Sequence, residues 1–238
     1  MKPKVVFHLT LAVLILGLLT NSSWAQTKNL EAIATLKFYA AAQGISFPAG
    51  ANPSAVLFDG SSIWVASGRS RFITKLRASD GGKLAAFPTP DFANSIAFDG
   101  ANIWVANNID GSVTKLRARD GANLGTFPTG HGPRKVAFDG SSIWIANAFS
   151  NSVTKLRASD GLNQGTFLVG NAPVALAFDG VSMWITNAGD NTVTRLRSTD
   201  GVNMGTFPTG RVPIGIAFDG TNMWVTNNAD TNGTVSKL

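Results

Sequence analysis

The sequence has no cysteine and little of the side-chain chemistry that most active sites use. Without cysteine, disulfide scaffolds, cysteine-bound zinc and thiol nucleophiles are all excluded. The 238 residues include 2 histidines, and Glu31 and Tyr39 are the single glutamate and the single tyrosine. Charged residues make up only 14% of the chain against 44% hydrophobic residues, which argues against a disordered protein. This composition predicts a folded body of one or two domains with a sizeable core.

The first 25 residues have the pattern of a secretory signal peptide. Two lysines precede the apolar run Leu9–Leu19, and small residues follow at Ser23 and Ala25. The apolar run is shorter than the roughly 18–20 residues that a membrane-spanning helix needs. The sequence therefore predicts cleavage after Ala25, followed by an N-terminal segment at 26–44. It predicts an exported protein, periplasmic or secreted, that does not span the membrane.

A 40-residue repeat occupies the rest of the chain. The triplet Phe-Asp-Gly recurs at this spacing, and a tryptophan follows its phenylalanine by six residues each time. The five tryptophans of the series are Trp64, Trp104, Trp144, Trp184 and Trp224. A fixed period of this length is typical of repeat architectures. The units comprise residues 51–90, 91–130, 131–170, 171–210 and 211–238.

Each unit contains four short segments of strand composition, separated by turn signals. In the second unit they are Ser95–Phe98, Ile103–Ala106, Val113–Ala118 and Gly125–Thr129. Asp-Gly turns tolerate positive φ and join such strands into an antiparallel meander. Four strands in ~40 residues is the size of a propeller blade. The predicted fold is therefore all-β, a β-propeller of four-stranded antiparallel blades that occupies residues 45–238.

Proline defines which strand lies at the edge of the blade. Pro48, Pro88, Pro128 and Pro208 all fall in the fourth strand, which therefore cannot be a central strand. The fourth strand is predicted to be the outer edge, and the first strand to line the central axis. The third strands carry paired cations, which we expect to project to the periphery as a solvated rim stripe. They are Lys75, Arg77, Lys115, Arg117, Lys155, Arg157, Arg195 and Arg197.

The strand count bears on closure, because the fifth unit holds only three strands. Ile45–Ala49 matches the fourth strand of the other units and could complete the fifth blade. A five-bladed ring closed between Ile45–Ala49 and Val235–Leu238 would leave no exposed sheet edge there. Two alternatives stay open. Ile33–Phe38 matches a third strand, so the N-terminus could supply two strands, and the chain could be a truncated relative of a larger ring.

The repeat unit resembles the YVTN family of β-propeller repeats. Trp104–Asn107 reads W-V-A-N where that family has Y-V-T-N. The unit is also similar to virginiamycin B lyase-like, NHL-type and other WD40-like propellers, which implies the fold but not a function. The lyase resemblance implies a site of histidine and glutamate with a divalent metal. Only His131 and Glu31 could serve after removal of the leader, so the lyase activity is not supported.

Residues that recur in every unit are first explained by the fold. The tryptophans are interpreted as structural wedges between neighbouring blades, and the alternative is an aromatic series that binds sugars. The Asp-Gly aspartates are interpreted as turn formers rather than metal ligands. They are Asp59, Asp80, Asp99, Asp120, Asp139, Asp160, Asp179, Asp200 and Asp219.

Residues that break the repeat are the better candidates for a ligand site. They belong to two sets of loops, which connect the second strand to the third and one blade to the next, and which open on one face. The candidate ligand-binding residues are Arg69, Arg71, Asp91, Asp110, His131, Arg134, Lys135, Asp190, Arg211 and Asp230. Their basic members could bind an anionic ligand, and scattered solvated charge is the competing interpretation.

The function predicted from these features is an exported, non-enzymatic β-propeller that acts as a binding or interaction platform. Its partner is expected to be a protein or an anionic or glycan ligand of the cell envelope, not a nucleic acid. Catalytic residues, metal and cofactor are expected to be absent, and the chain is expected to be a monomer. The alternatives are a multivalent lectin-like propeller and a virginiamycin B lyase-like enzyme. If the chain were an enzyme, Asp91 and His131 would form its site.

Overall fold

In the computed structural model, which describes residues 46–229 and 232–238, every regular element is a β-strand. The predicted leader, the whole N-terminal segment 26–44 with Ile33–Phe38, and Ile45 lie outside the described residues. Within the described part, no helix is long and apolar enough to cross a membrane.

Residues 48–238 contain five antiparallel sheets in chain order, which are the blades. Blade 1 comprises β1 (Pro53–Phe58), β2 (Ser62–Ser67), β3 (Phe72–Arg77) and β4 (Lys83–Pro88). Blade 2 comprises β5 (Ala93–Phe98), β6 (Asn102–Asn107), β7 (Ser112–Arg117) and β8 (Asn123–Pro128). Blade 3 comprises β9 (Pro133–Phe138), β10 (Ser142–Asn147), β11 (Ser152–Arg157) and β12 (Asn163–Leu168). Blade 4 comprises β13 (Pro173–Phe178), β14 (Ser182–Asn187), β15 (Thr192–Arg197) and β16 (Asn203–Pro208), and blade 5 comprises β17 (Pro213–Phe218), β18 (Met223–Asn227) and β19 (Thr234–Lys237).

The sheet order confirms the predicted fold class and the predicted position of each strand. In each blade the strands pair in sequence order, so the first strand and the last strand are the edges. First strands of successive blades contact one another, β1 with β5, β5 with β9, β9 with β13 and β13 with β17. The first strands therefore line the inner side, and the proline-bearing fourth strands lie at the outer edge, where a missing N–H donor costs no ladder bond.

The tryptophans lie at the junctions between blades. Trp64 is fully buried in a cluster with Ile103, Val105 and Leu116 of the next blade. Trp104 and Trp144 occupy the same place in the next two junctions. Each unit thus presents its tryptophan to the blade that follows, and four of the five indoles are at most 9% exposed. Trp224 is 41% exposed because no blade follows it in the described chain.

An aspartate of the Asp-Gly turn holds each indole in place. The Nε1 of Trp104 donates to Asp99 Oδ2 at 2.8 Å, and the other four tryptophans bond in the same way at 2.6–2.7 Å. The second oxygen of the carboxylate accepts backbone N–H groups of its own turn, as Asp99 Oδ1 does from Ala101 and Asn102. The carboxylate therefore joins the turn geometry to the orientation of the wedge.

The lysines of the third strands correct one expectation. Lys75 does not project to the periphery. It is buried, its ammonium lies 5.0 Å from the Trp64 ring, and it donates to the carbonyls of Ala118 at 2.7 Å and Arg119 at 3.3 Å in the next blade. Lys115 and Lys155 make the same contacts one and two blades on. The arginines two residues later do reach solvent, where each pairs with the aspartate of its own Asp-Gly turn.

Among the described residues no N-terminal strand closes the ring, so the prediction that Ile45–Ala49 pairs with Val235–Leu238 is wrong. Residues 46–50 form no strand, and the one described strand that pairs with β19 is β18. The Ala49 carbonyl instead accepts hydrogen bonds from the side chains of Ser67 and Thr74 in blade 1. The exposure of blade 1 agrees with an open arc. Val56 on its inner strand is 71% exposed, whereas Ile96, at the same repeat position in blade 2, is 7% exposed.

The junctions predict that the stability lost on removing a tryptophan depends on how deeply its indole is buried. Trp104→Ala should lower the free energy of unfolding by about 3–5 kcal/mol, because it empties a fully buried site between two blades. Trp224→Ala should cost only about 1 kcal/mol in dilute solution, because the indole is already partly solvated. Denaturant titration of both variants checks this order. Equal losses would mean that the junction is not what buries the indole.

The Asp–Trp bonds predict loss of stability in acid. Burial alone would raise the pKa of the Asp99 carboxyl group, but hydrogen bonds from Trp104, Asn102 and two backbone amides outweigh burial and hold its pKa below the usual value. Asp59 and Asp179 also have lowered pKa values, with the same balance of causes. A lowered pKa in the folded state contributes stability above the unfolded pKa, and that stability is lost as the pH falls through the folded pKa.

We therefore expect the free energy of unfolding to decrease below about pH 4. Trp104→Phe keeps an aromatic wedge but removes the N–H donor to Asp99, so its stability should depend less steeply on pH in that range. Unfolding titrations between pH 5 and pH 2.5 measure the slope. An unchanged slope in Trp104→Phe would show that this hydrogen bond does not lower the pKa of Asp99.

Candidate ligand-binding face

Two sets of loops meet at one end of every blade. The backbone N–H of the residue after each second strand donates to a carbonyl of the preceding blade-to-blade loop, as Ala148 does to Gly132 at 2.9 Å. The same bond recurs in the other four blades at 2.9–3.0 Å. This end is called the loop face, and it consists of loops 68–71, 89–92, 108–111, 129–132, 148–151, 169–172, 188–191 and 209–212.

Asp91 is committed to the backbone of the loop face. It is buried, and its Oδ2 accepts hydrogen bonds from the N–H groups of Ile109 and, at 2.7 Å, Asp110. Its Oδ1 accepts the N–H of Phe92. The carboxylate thereby ties the loop between blades 1 and 2 to the β6–β7 loop, and both of its oxygens are occupied.

Asp190 makes a similar connection in blade 4. Its carboxylate accepts the backbone N–H of Asn171 at 2.5 Å and the Asn171 side-chain amide at 2.6 Å. Asp110 occupies the equivalent position in blade 2 and is exposed. Asp230, at the same repeat position in blade 5, lies outside the described residues. Two of the predicted acidic site residues therefore join loops to each other.

His131 lies in the loop between blades 2 and 3, with its side chain exposed. Its carbonyl accepts the N–H of Phe149 at 3.1 Å, and Phe149 is 69% exposed. Gly132 beneath this ring has a φ of 67° and leaves no room for a Cβ. Within the described residues no hydrogen bond joins Asp91 to His131, the two residues that would form the site if the chain were an enzyme.

Arg134 and Lys135 are adjacent exposed cations on the inner strand β9. Lys135 pairs with Ala146 and Pro133 with Asn147, so Arg134 is the extra residue of a β-bulge. A bulge turns its side chain away from the regular alternation of the strand. The same two positions hold Ser54 and Ala55, Asn94 and Ser95, Val174 and Ala175, and Ile214 and Gly215 in the other blades. Blade 3 is thus the one unit with charge at this place.

The remaining predicted cations are not gathered with Arg134. Arg69 and Arg71 are exposed on the β2–β3 loop of blade 1, and Arg211 is exposed before blade 5. Arg71 has a φ of 52°, and its carbonyl accepts the N–H of Thr89 at 2.9 Å. The predicted basic face is therefore divided among blades 1, 3 and 5, and the pair on blade 3 is its most concentrated part.

The exposed apolar side chains of the loop face were not among the residues predicted to bind a ligand. Ile109 and Phe149 occupy the repeat position where blade 1 has Arg69, and both are largely exposed. Variation at this position, which also holds Gly189 and Ala229, is the signal that could have identified them. Phe149 places an aromatic ring beside His131 in the same blade as the cation pair.

Cavities occur at the opposite end of the blades, among the Asp-Gly turns. One of about 450 Å³ lies between blades 1 and 2, lined by Asp59, Asn102, Arg117 and Arg119, among others. A second of about 320 Å³ lies between blades 4 and 5, lined in part by Trp184, Arg195 and Phe218. Both are junction grooves, and none of the predicted ligand-binding residues lines either of them.

Comparison with known proteins supports the fold. No family model matches the chain, so the resemblance to YVTN repeats stays a prediction, and no curated protein matches it. Among solved structures, a streptogramin B lyase is similar with a TM-score of 0.64 at 21% identity, over 82% of this chain and 70% of that one. Hydrazine synthase from Kuenenia stuttgartiensis is similar with a TM-score of 0.67 at 16% identity, over 80% of this chain and 60% of that one.

U3-55K is a further structural neighbour, with a TM-score of 0.67 at 17% identity over 78% of this chain and 61% of that one. The chain thus spans about 60% of the length of hydrazine synthase and of U3-55K. Identities of this size show a shared propeller-like fold and carry no activity from these proteins to this one.

The hydrogen bonds of Asp91 predict a structural role for this buried carboxylate. Asp91→Asn should lower the free energy of unfolding by about 1.5–3 kcal/mol, because the amide offers only one acceptor oxygen and weakens charge-assisted bonds. Asp110→Asn, a matched change on the exposed neighbouring loop, should stay within about 0.5 kcal/mol of the wild type. Denaturant titration compares them, and an unaffected Asp91→Asn would contradict the role.

Proposed function

We propose that this chain is an exported, non-enzymatic β-propeller protein that binds an anionic ligand of the cell envelope at the start of strand β9, next to its loop face. Arg134 and Lys135 are the primary contacts, and His131 and Phe149 lie at the rim of the site. The observation that carries the proposal is the exposed cation pair at the bulge of β9, where the other four blades have uncharged residues.

The electrostatics of the two ends of the blades support this choice. Every ion pair found in the described residues joins an arginine to an Asp-Gly aspartate at the opposite end. Arg134 and Lys135 take part in none of them. Adjacent cations that are not neutralised, on the inner strand of an arc, concentrate positive potential on the concave side. There the guanidinium of Arg134 and the ammonium of Lys135 would both bind the carboxylates or phosphates of a polymer.

A binding role accounts for the loop-face residues better than catalysis does. The carboxylate of Asp91 is occupied by three backbone N–H groups and does not reach His131 through a hydrogen bond. General acid–base chemistry needs a base whose other partners orient it towards the substrate. The side chain of His131 is exposed, which suits it better to contacting a ligand than to abstracting a proton.

The lectin alternative depends on aromatic rings that are open to a sugar. Four of the five repeated tryptophans are buried between blades and bonded through Nε1, so they offer no platform to stack on. Phe149 is an exposed ring, but the same position in the other blades is not aromatic. A neutral glycan bound once per blade is therefore the weaker proposal.

The cation pair predicts a charge-dependent binding site. Arg134→Val with Lys135→Ala places the residues of blade 4 in blade 3, and it should weaken binding of labelled polygalacturonate about tenfold or more. The matched control is Lys83→Asn with Arg119→Ser, which removes two exposed cations outside the loop face and also restores residues found in other blades. The control should change the dissociation constant less than about twofold.

Fluorescence anisotropy at low and high salt measures both variants, with neutral dextran as the uncharged probe. Equal weakening by the two pairs of substitutions would mean that net charge alone attracts the polymer. Binding of dextran that survives high salt would favour the lectin instead.

A further inference from the structure

The outer edge of blade 3 differs from the outer edges of the other four-stranded blades. Among the described residues, the fourth strand of each of these blades is hydrogen-bonded on one side only, to the third strand. Such an edge presents free N–H and C=O groups to other strands, and proteins block it with proline, charge or bulges. The fourth strands of blades 1, 2 and 4 end at Pro88, Pro128 and Pro208, whereas β12 of blade 3 ends at Leu168.

The direction of the backbone shows what each proline removes. The N–H of Val169 donates to the carbonyl of Asn151 at 3.0 Å, on the side of β11. Because backbone groups alternate between the two sides of a strand, the N–H and C=O of Leu168 and Thr166 point away from β11. The bond of Val169 is also made by the residues that follow the three prolines, Thr89, Thr129 and Thr209. Each proline therefore replaces an outward N–H donor, and blade 3 keeps that donor.

A β-bulge interrupts only the first part of β12. The register between β11 and β12 shifts between Lys155 and Leu156, so Gln164 is an extra residue. The other three fourth strands have a bulge at the same place, so that bulge and proline together interrupt both ends of their edges. In blade 3, Gly165–Leu168 remains a regular edge that has no proline.

The side chains of β12 do not oppose contact between two copies of the strand. The strand contains no charged residue. Leu168 is 79% exposed, the largest value among the bulky apolar side chains of the described residues, and Thr166 on the same face is also exposed. Phe167 points to the other face, where its ring centroid lies 6.0 Å from that of Trp144. An approaching strand therefore meets an apolar side chain and a hydroxyl, with no like charge to repel it.

We infer that two copies of this chain pair through β12, antiparallel and about a two-fold axis at Phe167. In this register Thr166 of each copy lies opposite Leu168 of the other, and each opposed pair exchanges two backbone hydrogen bonds. The edge has a donor and an acceptor on each outward residue, so it is complementary to itself, as a two-fold interface requires. The inference stands against the expectation of a monomer and does not depend on the proposed ligand.

The length of the edge sets the strength of the dimer. The pairing segment has few residues, and the area that it buries is below the roughly 1,200–2,000 Å² of stable interfaces. We therefore expect a dissociation constant between about 10 μM and about 1 mM.

Exchange of leucine and proline between blades 3 and 4 tests the inference on the full chain. Leu168→Pro gives blade 3 the residue of blades 1, 2 and 4, removes the outward N–H and should weaken self-association about tenfold or more. Leu168→Val is the matched control, because valine is close to proline in size but keeps the N–H, and it should change self-association less than about threefold. Adding Pro208→Leu to Leu168→Pro moves the open edge to blade 4 and should restore the dimer.

Analytical ultracentrifugation up to about 1 mM measures the species, and circular dichroism verifies that each variant is folded. Equal weakening by Leu168→Pro and Leu168→Val would overturn the inference, because the side chain and not the backbone would then make the contact. Self-association that Leu168→Pro leaves unchanged would place the contact elsewhere and also overturn it. The inference would equally fail if the double variant stayed monomeric, or if the wild type did, in which case the edge would be left to a strand of another protein.

Discussion

The packing of each tryptophan against the following blade is the interaction on which the rest of the structure depends. A sheet of four six-residue strands has two faces and cannot bury both without neighbours on each side. Trp104, fixed by Asp99 and capped by the Lys115 ammonium, fills one face, and the aliphatic residues of blade 3 cover it. Because one blade supplies the indole and the next supplies the aliphatic surface, the junction has a direction. The same direction makes the two ends of the arc chemically different.

The strands and their order could be predicted because they depend on local patterns. Alternation and Asp-Gly turns act within a few residues and recur in every unit, and the proline of the fourth strand recurs in blades 1, 2 and 4. The lysines show where local reasoning fails. Alternation correctly places Lys75 and Arg77 on one face of β3, but Lys75 pairs with Trp64 in the middle of the sheet. There the next blade covers it, whereas Arg77 at the strand end reaches solvent. Exposure depends on a neighbour that the sequence of one unit does not reveal.

Closure of the ring could not be predicted by counting strands. Whether blades 1 and 5 meet depends on a small rotation at each of four junctions, and every rotation is set by how indole, aliphatic and lysine side chains pack. Strand composition contains no information about that angle. Ile45–Ala49 has the sequence of a fourth strand, yet Ala49 is held by Ser67 and Thr74 of blade 1. A segment can match a repeat and still not pair with the strand that lacks a partner.

The candidate site illustrates how a repeat separates structural from functional residues. Asp91 differs from its equivalents in all other units, and Asp190 shares its position with Asp110 and Asp230 but not with Ser70 and Ser150, so on sequence grounds both qualified as site residues. Their carboxylates instead bond loop backbone that varies from blade to blade, so a departure from the repeat can also serve the fold. Arg134 and Lys135 differ from their equivalents, and their side chains form no hydrogen bond or ion pair with other described residues. The bulge of β9 exists in every blade, with or without charge. The fold therefore supplies the position, and blade 3 alone places two cations there. The ligand is therefore to be sought at this bulge rather than at Asp91 and Asp190, whose carboxylates already bond the loops.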